Sequence, residues 1–113
     1  MHWNSISHAS SEIEVGNNLI GLKVYRYPFG LYINADKSGS PILSDTEVWG
    51  KVVGILQDDM PDMVNTNITG FAWSQYANTA TSVELYVSDK NIKISYKGFS
   101  PYIIYISGFI PFR

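Results

Sequence analysis

Both histidines of this chain, His2 and His8, lie within its first eight residues, in a stretch rich in serine. A general base must be held in fixed geometry before its pKa matters, so the pair reads as part of a polar arm rather than as a catalytic or metal site. Asp58, Asp59 and Asp62 form the densest carboxylate cluster, the oxygen chemistry that hard cations such as calcium take. The segment lacks the alternate-residue spacing and glycine of an EF-hand loop, and Pro61 stiffens it, so it reads as a solvated acidic turn. Serines are plentiful, but no Gly-x-Ser-x-Gly elbow presents one as a nucleophile. The absence of cysteine removes thiolate chemistry, disulfides and cysteine zinc sites. No catalytic residue, metal site or cofactor is therefore assigned.

Aromatic side chains are the richer inventory, with eight tyrosines and three tryptophans. Tyrosine and tryptophan offer flat faces with one polar handle, which suits sugar stacking and protein interfaces alike. Residues 73–78 set Trp73 and Tyr76 beside the amides of Gln75 and Asn78, and these four are the candidate ligand contacts.

The elements that must position these groups are strands. In residues 83–88, Val83, Leu85 and Val87 alternate with Glu84, Tyr86 and Ser88, and in residues 92–97 Ile92, Ile94 and Tyr96 alternate with Lys93, Ser95 and Lys97. A hairpin follows, with Val87 opposite Ile92, Leu85 opposite Ile94 and Val83 opposite Tyr96. Either a two-residue loop at Asp89 and Lys90 or a four-residue loop over 88–91 gives this register; the four-residue loop is preferred because Asp-Lys lacks the glycine of a primed turn. One face of the hairpin is core and the other, with Lys90, Lys93 and Lys97, is wet.

Residues 102–106 break the alternation, being apolar at every position, and such a strand calls for cover on both faces. The tail continues with Phe109, Ile110 and Phe112. A soluble monomer seldom exposes such a run, so Tyr102, Ile104, Phe109, Ile110 and Phe112 are the candidate oligomer contacts.

Further strands are expected near residues 12–15, 19–27, 31–33 and 68–73, with residues 36–41 the most loop-like segment and 74–82 a second polar loop. Residues 44–56 admit a helix, with Ser44 and Glu47 as a capping box, but Gly50 and Gly54 would each cost it about 1 kcal/mol. A strand is preferred, its glycines marking a bulge or a close approach. The sum is an all-β fold, an antiparallel, jelly-roll-like β-sandwich of seven or eight short strands with little helix. Residues 1–12 are assigned to the arm and 13–113 to one domain.

Composition narrows function further. At 113 residues the chain is large enough for one core, and a net charge of -2 with 16% charged residues argues against a nucleic-acid surface. No stretch approaches the roughly 20 apolar residues of a membrane span, and the first residues lack the pattern of a signal peptide. The sequon at Asn67 is too short a pattern to carry weight.

The order of features over residues 48–112 resembles the β-rich modules of tailed-phage tail and baseplate proteins, including receptor-binding domains. The resemblance rests on a glycine-bearing strand, a loop with Met60-Pro61, the hairpin over 83–94 and a closing strand rich in tyrosine and isoleucine. It implies a non-enzymatic virion component, structural or host-adhesive, soluble in the host cytoplasm until assembled. It further implies a homo-oligomer, commonly a trimer, whose partners are other tail proteins or a host surface glycan. The alternative is a monomeric carbohydrate-binding domain that uses Trp73 and Tyr76.

Overall fold

The computed structural model describes residues 10–38, 42–74 and 80–113. Eight strands follow in order: β1 (Ser11–Ile13), β2 (Leu22–Tyr27), β3 (Gly30–Ser38), β4 (Glu47–Ile55), β5 (Ile68–Trp73), β6 (Thr81–Ser88), β7 (Asn91–Lys97) and β8 (Ile103–Pro111). Among the described residues there is no helix, and so none long and apolar enough to cross a membrane. All neighbouring strands are antiparallel, and they form one continuous curled sheet in the order β1-β2-β3-β8-β5-β6-β7-β4. The all-β antiparallel expectation holds, while the two stacked sheets of a sandwich give way here to a single hydrogen-bonded surface.

The curl brings the sheet's two ends together. Gly16 exchanges backbone hydrogen bonds with Ile55 at 2.8 Å each, and Leu19 N donates to Val53 O at 3.0 Å. The segment after β1 thereby covers the outer edge of β4 along its second half, which removes the unpaired edge that invites aggregation. Asn18 fixes this crossing: its side-chain oxygen accepts from Leu22 N at 2.7 Å and its amide donates to Leu22 O at 2.8 Å. Ser11 and Glu12, at the end of the stretch assigned to the arm, pair with Arg26 and Tyr25 of β2.

Alternation supplies the core. Leu22 and Val24, Leu31 and Ile33, Val83 and Leu85, Ile92 and Ile94, and Ile104 and Ile110 are all 4% exposed or less. Among the described residues no charged or amide side chain is buried. Apart from Tyr96, whose hydroxyl donates to Asp45 O, the core is built from apolar groups and needs no internal hydrogen-bond network, which suits a period-2 pattern.

The β6–β7 hairpin has the expected register, with Val83, Leu85 and Val87 opposite Tyr96, Ile94 and Ile92. Its loop differs. Asp89 and Lys90 form a two-residue turn with φ of 50° and 67°, the positive values of a type I′ turn whose twist matches that of the strands. Lysine in this conformation costs about 1 kcal/mol. Tertiary contacts offset that cost: Lys90 O accepts from Leu56 N at 2.7 Å, and Lys90 Nζ donates to Met60 O and stands 3.9 Å from Asp62.

Residues 44–56 resolve as strand, and both glycines mark irregularities. Trp49 and Gly50 together oppose one position of β7, between the pairs Val48–Tyr96 and Lys51–Ile94, and Gly50 has φ of 68°. That is a β-bulge of the glycine type, and it turns Trp49 outward, 73% exposed. A Cβ at Gly54 would lie 2.6 Å from Val15 and 3.0 Å from Leu22, so the strand approaches the first strands closely there. Two segments read as loops turn out to pair: Asp36, Lys37 and Ser38 belong to β3 opposite Tyr105, Ile104 and Ile103, and Thr81 and Ser82 open β6. Polar residues enter these strands because their outer faces are wet.

Candidate functional site

β8 decides what the surface offers. It is not doubly buried, because Ile104, Ile106 and Ile110 face the core while Tyr105, Ser107 and Phe109 face outward. Ser107 and Gly108 restore the period of two that residues 102–106 hide.

On the outer face, Tyr105 pairs with Phe71 and Ile103 with Trp73 across the β5–β8 seam. The Phe71 and Trp73 rings lie 6.1 Å apart at 42°. Phe71 and Tyr105 are each 55% exposed and Trp73 is half-buried. Between them runs a shallow trough of about 300 Å³, rimmed by Thr69 and Ser107. Gly70 makes the seam tight, since a Cβ there would meet Tyr105 O at 2.3 Å and Ile106 Cβ at 2.6 Å. Tyr102 N donates to Trp73 O at 2.7 Å and ties down the strand end that carries the indole.

A second aromatic cluster continues along β8. Phe109 meets Phe29 at 5.5 Å and Tyr27 at 6.1 Å between ring centroids. The Phe109 ring lies where a side chain at Gly30 would stand, 2.4 Å from an added Cβ, so the glycine admits the ring against the backbone. Phe29 sits at the tip of the β2–β3 turn, 61% exposed, after Pro28, whose fixed φ excludes a primed turn. Arg26 stacks over Phe112 at 5.6 Å and reaches Asp59 at 3.6 Å.

Electrostatically the surface is mild. Among the described residues four ion pairs, Arg26–Asp59, Lys51–Asp45, Lys90–Asp62 and Lys97–Glu47, span 3.6 to 3.9 Å between solvent-accessible groups. Tyr96 has its phenol pKa pushed up to about 12, first by burial and then by the charge of Asp45. Its hydroxyl donates to Asp45 O at 2.6 Å. Among the described residues no three acidic or imidazole groups converge as a metal site, and Asp59 and Asp62 turn to Arg26 and Lys90 instead.

Of the candidate ligand contacts, Trp73 stands on the aromatic face, while Gln75, Tyr76 and Asn78 lie outside the described residues, as do His2 and His8. Of the candidate oligomer contacts, Ile104 and Ile110 are fully buried in the chain's own core, which removes them from any surface. Phe109 faces outward, and Tyr102 and Phe112 are half-buried. Sequence reading missed Phe71 and Tyr105. The signal was available: Phe71 stands two residues before Trp73 on the same face, and Tyr105 two before Ser107.

Comparison with protein-family models, with curated proteins and with solved structures returned no match.

Proposed function

We propose that the protein is a non-enzymatic structural or host-adhesion module of a phage particle that associates with copies of itself through the outer face of β5 and β8. One observation carries the reading: Phe71 and Tyr105, each 55% exposed, stand side by side across a rigid seam with Trp73 and Ile103 beside them. The patch is poor in charge, with Asp36 next to Tyr105 and Glu84 next to Thr69 at its rim. A copy laid on the same patch would therefore oppose aromatic rings rather than like charges, as an interface between identical surfaces requires. An aromatic side chain offers roughly 200 Å², and covering the exposed half of one removes about 100 Å², or up to about 2.5 kcal/mol. The virion setting rests on the resemblance of residues 48–112 to tail and baseplate modules; the trimer that this resemblance implies would need a second, heterologous contact, since a patch packed on its own copy closes a two-fold dimer.

Size-exclusion chromatography with light scattering tests the association. The parent is expected as a multimer, and the double variant F71S/Y105S as a monomer with unchanged circular dichroism. A parent that stays monomeric at high concentration refutes it. Trp73 on the same face favours a second reading, a monomeric carbohydrate-binding domain, for which glycan binding lost on Trp73→Ala by a monomeric parent is the distinguishing result.

A further inference from the structure

Phe29 stands at the tip of the two-residue β2–β3 turn and is 61% exposed. Beside it in the sheet Gly30 pairs with Pro111, and Pro111 O accepts from Val64 N at 2.9 Å. Phe109 and Val64, 37% and 39% exposed, therefore flank the tip and extend its apolar surface. None of these residues lines the trough between β5 and β8.

The tip is held in place from two sides. Phe112 N donates to Phe29 O at 2.9 Å, and the Phe109 ring fills the space that a side chain at Gly30 would take. The rings of Tyr27, Phe29 and Phe109 lie 5.5 to 6.1 Å apart in all three pairings and so form one cluster. A cluster already assembled gives up little side-chain freedom when something covers it.

Backbone chemistry and the placing of polar groups select the occupant. Pro28 has no N–H and Phe29 O is taken by Phe112 N, so the tip carries few unpaired backbone groups into a medium that cannot satisfy them. No residue from 27 to 35 or from 106 to 112 is charged. Tyr25 and Tyr32 face each other across the strands two residues behind the Tyr27–Gly30 pair, roughly 7 Å back along the strands. Both are half-buried, with ring centroids 6.4 Å apart. That setback matches the roughly 5–10 Å to which interfacial apolar faces sink in a bilayer, and tyrosine favours the headgroup level. A protein interface typically carries about ten direct hydrogen bonds, and the side chains of Pro28, Phe29, Val64, Phe109 and Pro111 supply none. Arg26 is engaged with Asp59 at 3.6 Å and with the Phe112 ring at 5.6 Å, and the net charge is -2, so attraction to anionic lipid adds little.

We infer that the β2–β3 turn inserts into the surface of a zwitterionic lipid bilayer, with Phe29 and Phe109 at the acyl boundary and Tyr25 and Tyr32 among the headgroups. The turn enters the interface and does not cross it. This contact does not rest on the association proposed for β5 and β8, and the two fail separately.

The experiment is flotation of the full chain with unilamellar vesicles of phosphatidylcholine, alone and mixed with phosphatidylglycerol, followed by quenching with lipids brominated on the acyl chain. The parent is expected to float equally with both vesicles, at low and at high salt. Phe29→Ser, a change at an exposed position, should lower partitioning tenfold or more with circular dichroism unchanged. Phe29→Trp should float as the parent does and gain a fluorescence component that brominated acyl chains quench. The same quenching should persist in F29W/F71S/Y105S, where the β5–β8 patch is removed. No flotation with either vesicle, flotation only with phosphatidylglycerol, or a Phe29→Ser protein that floats as the parent does would overturn the inference. So would a mass altered by Phe29→Ser in light scattering when the parent binds no vesicle, which would assign the tip to a contact between copies.

Discussion

Replacing Gly70 by alanine tests the packing on which the exposed face depends. A Cβ at this position would lie 2.3 Å from Tyr105 O, 2.6 Å from Ile106 Cβ and 2.8 Å from Ile106 Cα. Ordinary carbon contacts begin near 3.5 Å, so β5 and β8 would have to separate by about 1 Å. Two of the three obstacles are backbone atoms, which cannot swing aside as a side chain can. Overpacking costs typically ~1–3 kcal/mol, and the backbone contact places this case near the upper end, at about 3 kcal/mol. Strand propensity alone argues the opposite way, since alanine is favoured over glycine by roughly 0.5–1 kcal/mol. Gly16→Ala is the control, because a Cβ there meets only Ile55 atoms at 3.6 Å, an ordinary contact. Urea unfolding followed by tryptophan fluorescence gives the comparison, with the slope expected to stay constant and the melting temperature of Gly70→Ala to fall by roughly 12 °C. A Gly70→Ala protein within about 0.5 kcal/mol of the parent, or a Gly16→Ala protein equally destabilised, would refute the reasoning.

Three other outcomes are expected. Tyr96, with its folded pKa at about 12 against an ordinary 10, keeps its proton in the folded chain after the unfolded chain has lost it. Its contribution to stability is complete below pH 10 and declines by up to about 1.4 kcal/mol per pH unit until pH 12. Denaturant melts across that range should show a shallower decline in Tyr96→Phe, and parallel curves would exclude the assignment. Gly50→Ala places a side chain at φ of 68° and 2.7 Å from the Tyr86 hydroxyl, for an expected loss of about 1–2 kcal/mol in thermal unfolding. An unchanged midpoint there would argue against the bulge. Ile104→Ala, in the core at 0% exposure, should cost about 2–5 kcal/mol, whereas Tyr105→Ser beside it should cost far less while altering association. Equal losses at the two positions would mean that β8 is not one-sided.

Local pattern carried much of the fold. The strand at 68–73, the hairpin register and the strand character of 47–55 were all legible, because each depends on alternation or on glycine within a few residues. Legibility failed where polar residues were paired on a wet face, as at Asp36 and Thr81. It failed again at β8, where isoleucine and tyrosine alternate without a change in hydrophobicity, so that Ile104 looked like surface and Tyr105 went unnoticed. The two-residue turn at Asp89 and Lys90 was weighed against a four-residue loop and not preferred, because its strain is relieved by Met60, Leu56 and Asp62, partners distant in sequence.

The amino-acid order by itself determined that this chain is built of antiparallel strands and which residues of its central hairpin face inward, since a period of two is a local property of the backbone. The neighbours of each strand were settled only by the tertiary structure. The order β3-β8-β5 sets Tyr105 against Phe71, and the curl that brings Gly16 to Ile55 closes a single sheet around the core. The end of β8 and Arg113 just beyond it are tied to residues 62–64, fifty residues earlier in the chain. These arrangements depend on contacts between residues far apart in the chain, and no short window of sequence contains both partners.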